Sequence, residues 1–278
     1  DGGEILRRIE AHGVTVLCGA PAVLAMVLDA AAAWDGPIPG RGRVRVVVAG
    51  APPPTRTIER IESELGWEFI QIYGLTETAP LLTINRRRGE WDELDARDRA
   101  RLLGRAGVPA LGVDIAVDED GEILARGNVV LESYWEQPEE SATALAGGWF
   151  HTGDGGTLDD GYLTISDRKK DVIISGGENV ASIEVEDVIA NHPHVREVAV
   201  VGTPDDTWGE SVTALVVTDG TPLTADEVIA HCRASLAGYK CPKKVEFRDA
   251  LPRTATGKLQ KYLLRRDYWA DQQRQIKG

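Results

Sequence analysis

The sequence predicts an α/β fold: a parallel sheet of alternating strands and helices, then a small antiparallel, barrel-like subdomain, then an α+β unit. Three observations predict it. Residues 1–74 pass repeatedly between helical and strand patterns in βαβα order. Residues 113–127 alternate in and out around an Asp-Gly turn. After Asp167, β-branched runs are interleaved with amphipathic stretches.

The elements follow in order. EILRRIEAHG places Ile5, Leu6 and Ile9 on one helical face, and Gly13 can close that helix. VTVLC (14–18) reads as a short strand and residues 22–33 as an apolar helix. VRVVVAG (44–50) is a near-continuous β-branched run, the pattern of a strand buried on both faces. TRTIERIESELG (55–66) is an amphipathic helix ending at Gly66, and WEFIQIYG (67–74) is the next strand. This order predicts helices on both sides of the sheet. VDIAVDEDGEILARG (113–127) reads as a β-hairpin; DEDGE lacks the twelfth-position glutamate and flanking helices of a calcium loop. In the last part DVIIS, EVAVVGT and VTALVVT read as strands, and SIEVEDVIANH and TADEVIAHCRASLAG as helices. The expected divisions are 1–103, 104–166 and 167–278, with the charged segment SDRKKD (166–171) as the boundary.

Composition narrows the classes. The 278 residues are 42% hydrophobic and 27% charged, ordinary for a globular protein. A net charge of −13 argues against a nucleic-acid surface, though a local cluster of donors can still hold a nucleotide. The three cysteines, Cys18, Cys232 and Cys241, match no zinc or redox spacing, and a reducing cytoplasm is the expectation. Pro21 and Asp29 interrupt the apolar stretch 16–34, so no membrane span is expected. No signal peptide is visible. The chain enters a helical pattern directly from Asp1, with no initiator methionine, as a piece of a longer protein would.

Five segments carry residues suited to chemistry. In QIYGLTETAP (71–80), at a strand end, Thr76 offers a hydroxyl to a phosphate and Glu77 hard oxygens to Mg2+. The same residues also suit a helix start capped by Thr76. AGAPPP (49–54) is a second strand-end turn whose small residues admit a flat ligand, or simply a proline-stiffened turn. In WFHTGD (149–154) and GYLTISDRKKD (161–171), Asp154 can accept from both hydroxyls of a ribose and Arg168 can add a donor fork. The alternatives there are a solvated charged loop and a packing role for His151. SGGENVASIEVE (175–186) is a Gly-Gly turn before a helix. PRTATGKLQK (252–261) ends in Gly-Lys but is not a Walker loop, because Pro252 stands at the first glycine position and Leu259 follows Lys258.

Taken together, YGLTET, WFHTGD, DRKKDVIISGGENV and PRTATGK stand in the order and spacing of the adenylate-forming superfamily. That superfamily includes acyl- and aryl-CoA synthetases, luciferases and peptide-synthetase adenylation domains. The chain resembles the C-terminal half of such an enzyme over its whole length. The resemblance implies that 1–103 is a parallel-sheet remnant of the large AMP-binding domain, and that 167–278 is a mobile C-terminal domain hinged at Asp167. It implies ATP and CoA as co-substrates, Mg2+ near Glu77, and formation of an acyl-adenylate, then an acyl-CoA thioester, on a carboxylic acid, with a fatty acid as the specific expectation.

By the same resemblance Gly50, Ala51, Pro52 and Tyr73 border the adenine, Gly74 is a further nucleotide-binding residue, Thr76 binds phosphate, and Asp154 and Arg168 hold the ribose. Ser175, Gly176, Gly177, Glu178 and Asn179 line the pantetheine path, and Lys258 is the mobile cation of adenylation. Lys240, with Lys243 and Lys244, is placed near CoA phosphates, although a solvated basic turn fits those residues as well. The family's Ser/Thr/Gly-rich phosphate loop is absent from these residues, which implies an exposed sheet edge or face and either a partnering N-terminal half or a homodimer. A non-catalytic nucleotide- or CoA-binding remnant and a carrier-protein-loading enzyme are the alternatives.

Overall fold

A computed structural model describes residues 1–254 and 257–270. These fall into two compact units, Asp1–Ile165 and Ser166–Gly278.

In the first unit, α1 (Gly2–His12), β1 (Val16–Gly19), α2 (Pro21–Ala32), β2 (Arg45–Val48), α3 (Thr55–Arg60) and β3 (Glu68–Tyr73) follow one another. The Asp1 carboxylate caps α1, and left-handed Gly13 closes it. A π-turn, Ile61–Leu65, continues α3. Strands β1, β2 and β3 are parallel neighbours in that order. The chain then turns back: β4 (Thr83–Arg86) runs antiparallel to β3, and β5 (Val108–Pro109) antiparallel to β4, with α4 (Ala96–Leu103) between them. The first sheet is therefore mixed rather than purely parallel.

The expected helices on both faces are not found among the described residues. Leu6, Ile9, Leu24, Val27, Ile58, Ala100 and Leu103, from α1 to α4, share one core with Val46, Val48 and Phe69. Those strand residues point to one face by register and alternation. On the other face β2 is only half-buried at Val47, so the apolar run 44–50 is not a strand covered on both sides. Strand β1 forms the sheet edge, and Val16 is 50% exposed there.

Next come β6 (Val113–Val117), β7 (Glu122–Gly127), α5 (Pro138–Ala144), β8 (Phe150–Asp159) and β9 (Tyr162–Arg168). The strands form an antiparallel sheet in sequence order. The hairpin expected at 113–127 is present, its turn closed by the Gly121 amide donating to the Asp118 carbonyl at 3.0 Å. Tyr73 and Leu82 share a core with Ile123, Ala125, Phe150 and Leu163, which fastens this sheet to the end of β3.

The second unit contains β10 (Ile173–Ser175), β11 (Glu178–Val180), α6 (Ser182–Ala190), β12 (Val195–Asp205), β13 (Gly209–Thr218), α7 (Ala225–Arg233), β14 (Lys244–Phe247) and α8 (Lys261–Trp269). The sheet order is β11-β10-β13-β12, with β14 parallel to β13. Residues of α6 and α7 pack on Val200, Ala214 and Val216. Leu264 and Tyr268 of α8 pack on the alternate residues Ala199, Val201, Leu215 and Val217. Covering on both sides explains the continuous apolar runs of β12 and β13.

All three cysteines are free. Burial pushes the Cys232 thiol up to about 12, with the Cys241 thiol as a second cause. A thiol reagent is expected to label exposed Cys18 in the folded chain, and to reach Cys232 and Cys241 only on unfolding. Equal labelling rates before and after unfolding would contradict this packing.

Candidate functional site

The parallel strands β2 and β3 end side by side, Val48 opposite Gln71. Their following loops therefore leave the same sheet end, where open α/β sheets bind ligands. After β2, Gly50 takes φ +95°, a backbone conformation that side chains resist, and Gly50 and Ala51 are exposed. After β3, Gly74 lies so close to the returning chain that an added Cβ would sit 1.8 Å from the Pro80 carbonyl oxygen. Only glycine fits that approach.

The segment Thr76–Thr78 is a single 3₁₀ turn joining β3 to β4. Its cap is Thr78 rather than Thr76. The Thr78 hydroxyl accepts from the Leu75 amide at 2.9 Å and donates to the Leu75 carbonyl at 3.0 Å, fully buried. Thr76 is exposed at the tip, and its hydroxyl has no hydrogen-bond partner among the described residues. The capping alternative for Thr76 is thereby removed, because the turn is already satisfied.

Glu77 is half-buried, and its Oε1 accepts from the Tyr134 phenol at 3.2 Å. Burial first, and the Glu77 charge second, raise the Tyr134 pKa, so the phenol stays a donor. Tyr134 is held in turn: the Ser141 hydroxyl accepts from its amide at 2.8 Å.

Asp154 lies inside β8, not on a solvated loop, and is buried. The Tyr73 phenol donates to Asp154 Oδ2 at 2.9 Å, across 81 residues of sequence. Thr152 steadies this strand, its hydroxyl donating to the Ile123 carbonyl at 2.7 Å and accepting from the Asp154 amide at 3.2 Å. Glu122 holds the adjoining Gly153 amide at 2.9 Å and faces His151 Nδ1 at 3.3 Å, so His151 has a local partner. An open depression of about 780 Å³ beside β8 is lined by Glu122, Glu139, Glu140, Thr143 and His151. Its three carboxylates oppose a triphosphate.

In the second unit, Asp167 is buried. Its carboxylate accepts from the Arg168 amide at 2.9 Å and from the Ser182 amide at 2.6 Å. It thus satisfies an amide at the start of α6, which has no side-chain cap of its own. Arg168 ends β9 and is exposed. Gly176 and Gly177, with φ of 63° and 86°, form a two-residue hairpin between β10 and β11, so this turn joins two strands and does not enter a helix. Ser175 is buried, whereas Glu178 and Asn179 are exposed.

The Trp208 indole closes over Gly176, where an added Cβ would lie 2.7 Å from its ring, and Lys243 Nζ stands 3.8 Å from the indole centroid. Lys240 is paired with Glu184 at 2.7 Å, so its charge is already countered. Lys258 is exposed beside Leu259, which forms a bridge with Arg253. Its ammonium has no ion-pair partner among the described residues.

Sequence reading singled out Tyr73 and Asp154 separately, and the structure joins them. It missed Thr78, Glu122, Tyr134 and Trp208. The Thr-x-Thr spacing of 76–78 left the capping residue ambiguous, and no local signal ties Tyr134 to Glu77, 57 residues away.

The description "AMP-binding enzyme" matches residues 1–135, and "AMP-binding enzyme C-terminal domain" matches residues 184–258. The chain is 43% identical to the 2-methylpropanoate–CoA ligase CCL4 of Humulus lupulus, an alignment covering 95% of this chain and 50% of that protein. It thus spans about half the length of the curated relatives it matches. Among solved structures, ATP-bound MatB from Rhodopseudomonas palustris shares 32% identity at a TM-score of 0.82, covering 98% of this chain and 54% of that one. The anthranilate CoA ligase AuaEII in complex with anthranoyl-AMP gives 27% identity and the same TM-score, covering 96% of this chain and 52% of that one.

Proposed function

The chain belongs to the adenylate-forming, AMP-binding enzymes, and on that premise we propose that it serves an ATP-dependent carboxylic acid–CoA ligase reaction. The observation that carries the reading is the Tyr73–Asp154 hydrogen bond. It sets a buried carboxylate beside a strand-end turn that presents the exposed Thr76 hydroxyl and the Glu77 carboxylate.

In the first half-reaction a substrate carboxylate oxygen attacks the α-phosphorus of ATP, and pyrophosphate leaves. Asp154 and Arg168 orient the ribose, Thr76 donates to a phosphate oxygen, and the small residues Gly50, Ala51, Pro52 and Gly74 border the adenine with Tyr73. Lys258 supplies a cation to the charge that builds on the phosphate and carboxylate oxygens. In the second half-reaction the CoA thiol attacks the acyl carbonyl, AMP leaves, and the thiol proton passes to solvent. The hairpin Ser175–Asn179 borders the pantetheine arm, and Trp208 and Lys243 offer it a flat apolar face and a cation. Lys240 is the weaker phosphate contact because Glu184 already holds it. Asp167 is the pivot between the two half-reactions.

Mg2+ suits Glu77. This ion takes one or two carboxylates plus substrate phosphates rather than a protein cage, and Glu77 offers one such carboxylate. When bound, the ion offsets phosphate charge. The acid proposed is a fatty acid, in keeping with the 2-methylpropanoate named for the Humulus lupulus protein. No described helix is long and apolar enough to cross a membrane. A reducing compartment such as the cytoplasm suits the three free thiols.

The test is acid-dependent exchange of labelled pyrophosphate into ATP, followed by AMP release with CoA, both measured on the full-length gene product. Exchange that depends on a fatty acid, with AMP release on adding CoA, is expected. Nucleotide binding without exchange would identify a non-catalytic remnant, and acyl transfer to a carrier protein but not to CoA would reassign the thiol.

A further inference from the structure

Lys258 is a long, exposed side chain next to the bridge that pairs Arg253 with Leu259, and such a group needs a rigid base to act at a defined point. The turn is braced at its start by Arg253. That guanidinium pairs with Glu197 of β12 at 2.7 Å and donates to the Gly257 carbonyl at 2.9 Å. Inside the turn, the Thr254 amide donates to the Lys258 carbonyl at 2.8 Å, and the Lys258 amide donates to the Thr254 hydroxyl at 3.0 Å.

The far end of the turn is anchored differently. Lys261, three residues after Lys258, opens α8 and turns its ammonium inward. Its Nζ lies 2.6 Å from Glu186 Oε1 and 2.5 Å from the Ser182 hydroxyl. Both partners are on α6, and the Ser182 amide is the one that Asp167 accepts from. Glu186 Oε1 also accepts the Val200 amide at 2.7 Å, on the sheet-edge strand β12. One turn of helix later, Arg265 of α8 pairs with Asp171 and donates to the Lys170 carbonyl. Side chains of α8 thus hold the segment that follows Asp167 through Arg265 at residues 170 and 171 and through Lys261 at α6.

We propose that Lys261 is a positioning residue for Lys258: the Lys261–Glu186–Ser182 cluster locks the Lys258 turn to the segment that follows Asp167, so that Lys258 enters adenylation from a fixed geometry. This rests on the role proposed above for Lys258. A buried ion pair is a poor way to gain stability, because desolvation offsets most of its attraction, but it specifies one arrangement strongly. Nothing in the proposed chemistry of either half-reaction uses Lys261 or Glu186 directly.

The test uses the full-length gene product with Lys261→Met/Glu186→Gln, which removes both members of the ion pair together and leaves the nearby Asp167 carboxylate on its two amide donors, and with Lys261→Arg, which keeps the cation. Three quantities are read: acid-dependent ATP–pyrophosphate exchange, thioester formation from supplied acyl-adenylate, and amide hydrogen exchange at Thr254 and Lys258. The double variant is expected to lose about 10–100-fold in the first half-reaction, the cost of a small misplacement of a reacting group. It keeps the second half-reaction, and its Thr254 and Lys258 amides exchange at least about tenfold faster. Lys261→Arg restores all three toward the parent.

Parent-like pyrophosphate exchange and protected amides in the double variant would overturn the proposal. So would equal loss of both half-reactions, which marks a merely structural pair. If Lys258→Ala itself fails to separate the half-reactions, the chemistry assigned to Lys258 falls, while the amide exchange still decides whether the cluster holds the turn.

Discussion

Replacing Lys258 with alanine is expected to slow acyl-adenylate formation by about 10²–10³-fold, the usual cost of removing one preorganised group that stabilises developing charge. Thioester formation from a supplied acyl-adenylate is expected to stay within about twofold of the parent, because an interaction absent from a step leaves its rate unchanged. The structure makes the substitution a clean one. The Lys258 ammonium is exposed and has no ion-pair partner among the described residues, so its loss costs no packing. The turn itself is held by backbone bonds and by Arg253, which the substitution leaves intact. Lys258→Arg should recover only part of the rate, since a planar fork does not place its charge where a compact ammonium does. Comparable losses in both half-reactions would remove Lys258 from the chemistry.

Asp154→Ala is expected to weaken ATP binding by about 10–100-fold, the equivalent of one hydrogen bond to a charged group at about 1.5–3 kcal/mol. A second effect accompanies it. The Tyr73 phenol loses its 2.9 Å acceptor in a buried place, which costs about 1–3 kcal/mol of stability. Tyr73→Phe separates the two effects, because it removes the same hydrogen bond and leaves the carboxylate. It is expected to keep most of the nucleotide affinity. Equilibrium ATP binding at fixed Mg2+, read beside thermal melting, makes the comparison. An Asp154→Ala protein that melts lower yet binds ATP like the parent would show that the carboxylate only supports the fold.

What could be read from the sequence follows the range of the interactions. The 113–127 hairpin was legible because Gly121 supplies φ of 78° where the Asp-Gly turn needs it, and the flanking residues alternate. Helix α7 was legible from its own cap, in which Thr224 and Glu227 satisfy each other's amides. The antiparallel return of β4 and β5 was not, since Thr83 pairs with Tyr73 and Pro109 through registers that no local pattern encodes. The half-covered second face of the first sheet, which the resemblance implied but the apolar run 44–50 argued against, is a related case. A β-branched run such as 44–48 favours a strand whether one face or both are covered. At the proposed site, Thr76, Glu77, Asp154 and Lys258 could be nominated from the sequence because each sits in a short motif. Tyr134 and the Lys261–Glu186 pair belong to no motif, and only the folded chain brings them to their partners.

The central claim is that distant segments of this chain meet around one adenylate. A crystal structure of the full-length gene product with a non-hydrolysable acyl-adenylate mimic tests it most directly. The account predicts both ribose hydroxyls on the Asp154 carboxylate, the Thr76 hydroxyl and the Lys258 ammonium at the group that replaces the phosphate, and Gly50 to Pro52 along the adenine. A mimic bound with its ribose away from Asp154, or with Lys258 turned from the acyl-phosphate linkage, would contradict it.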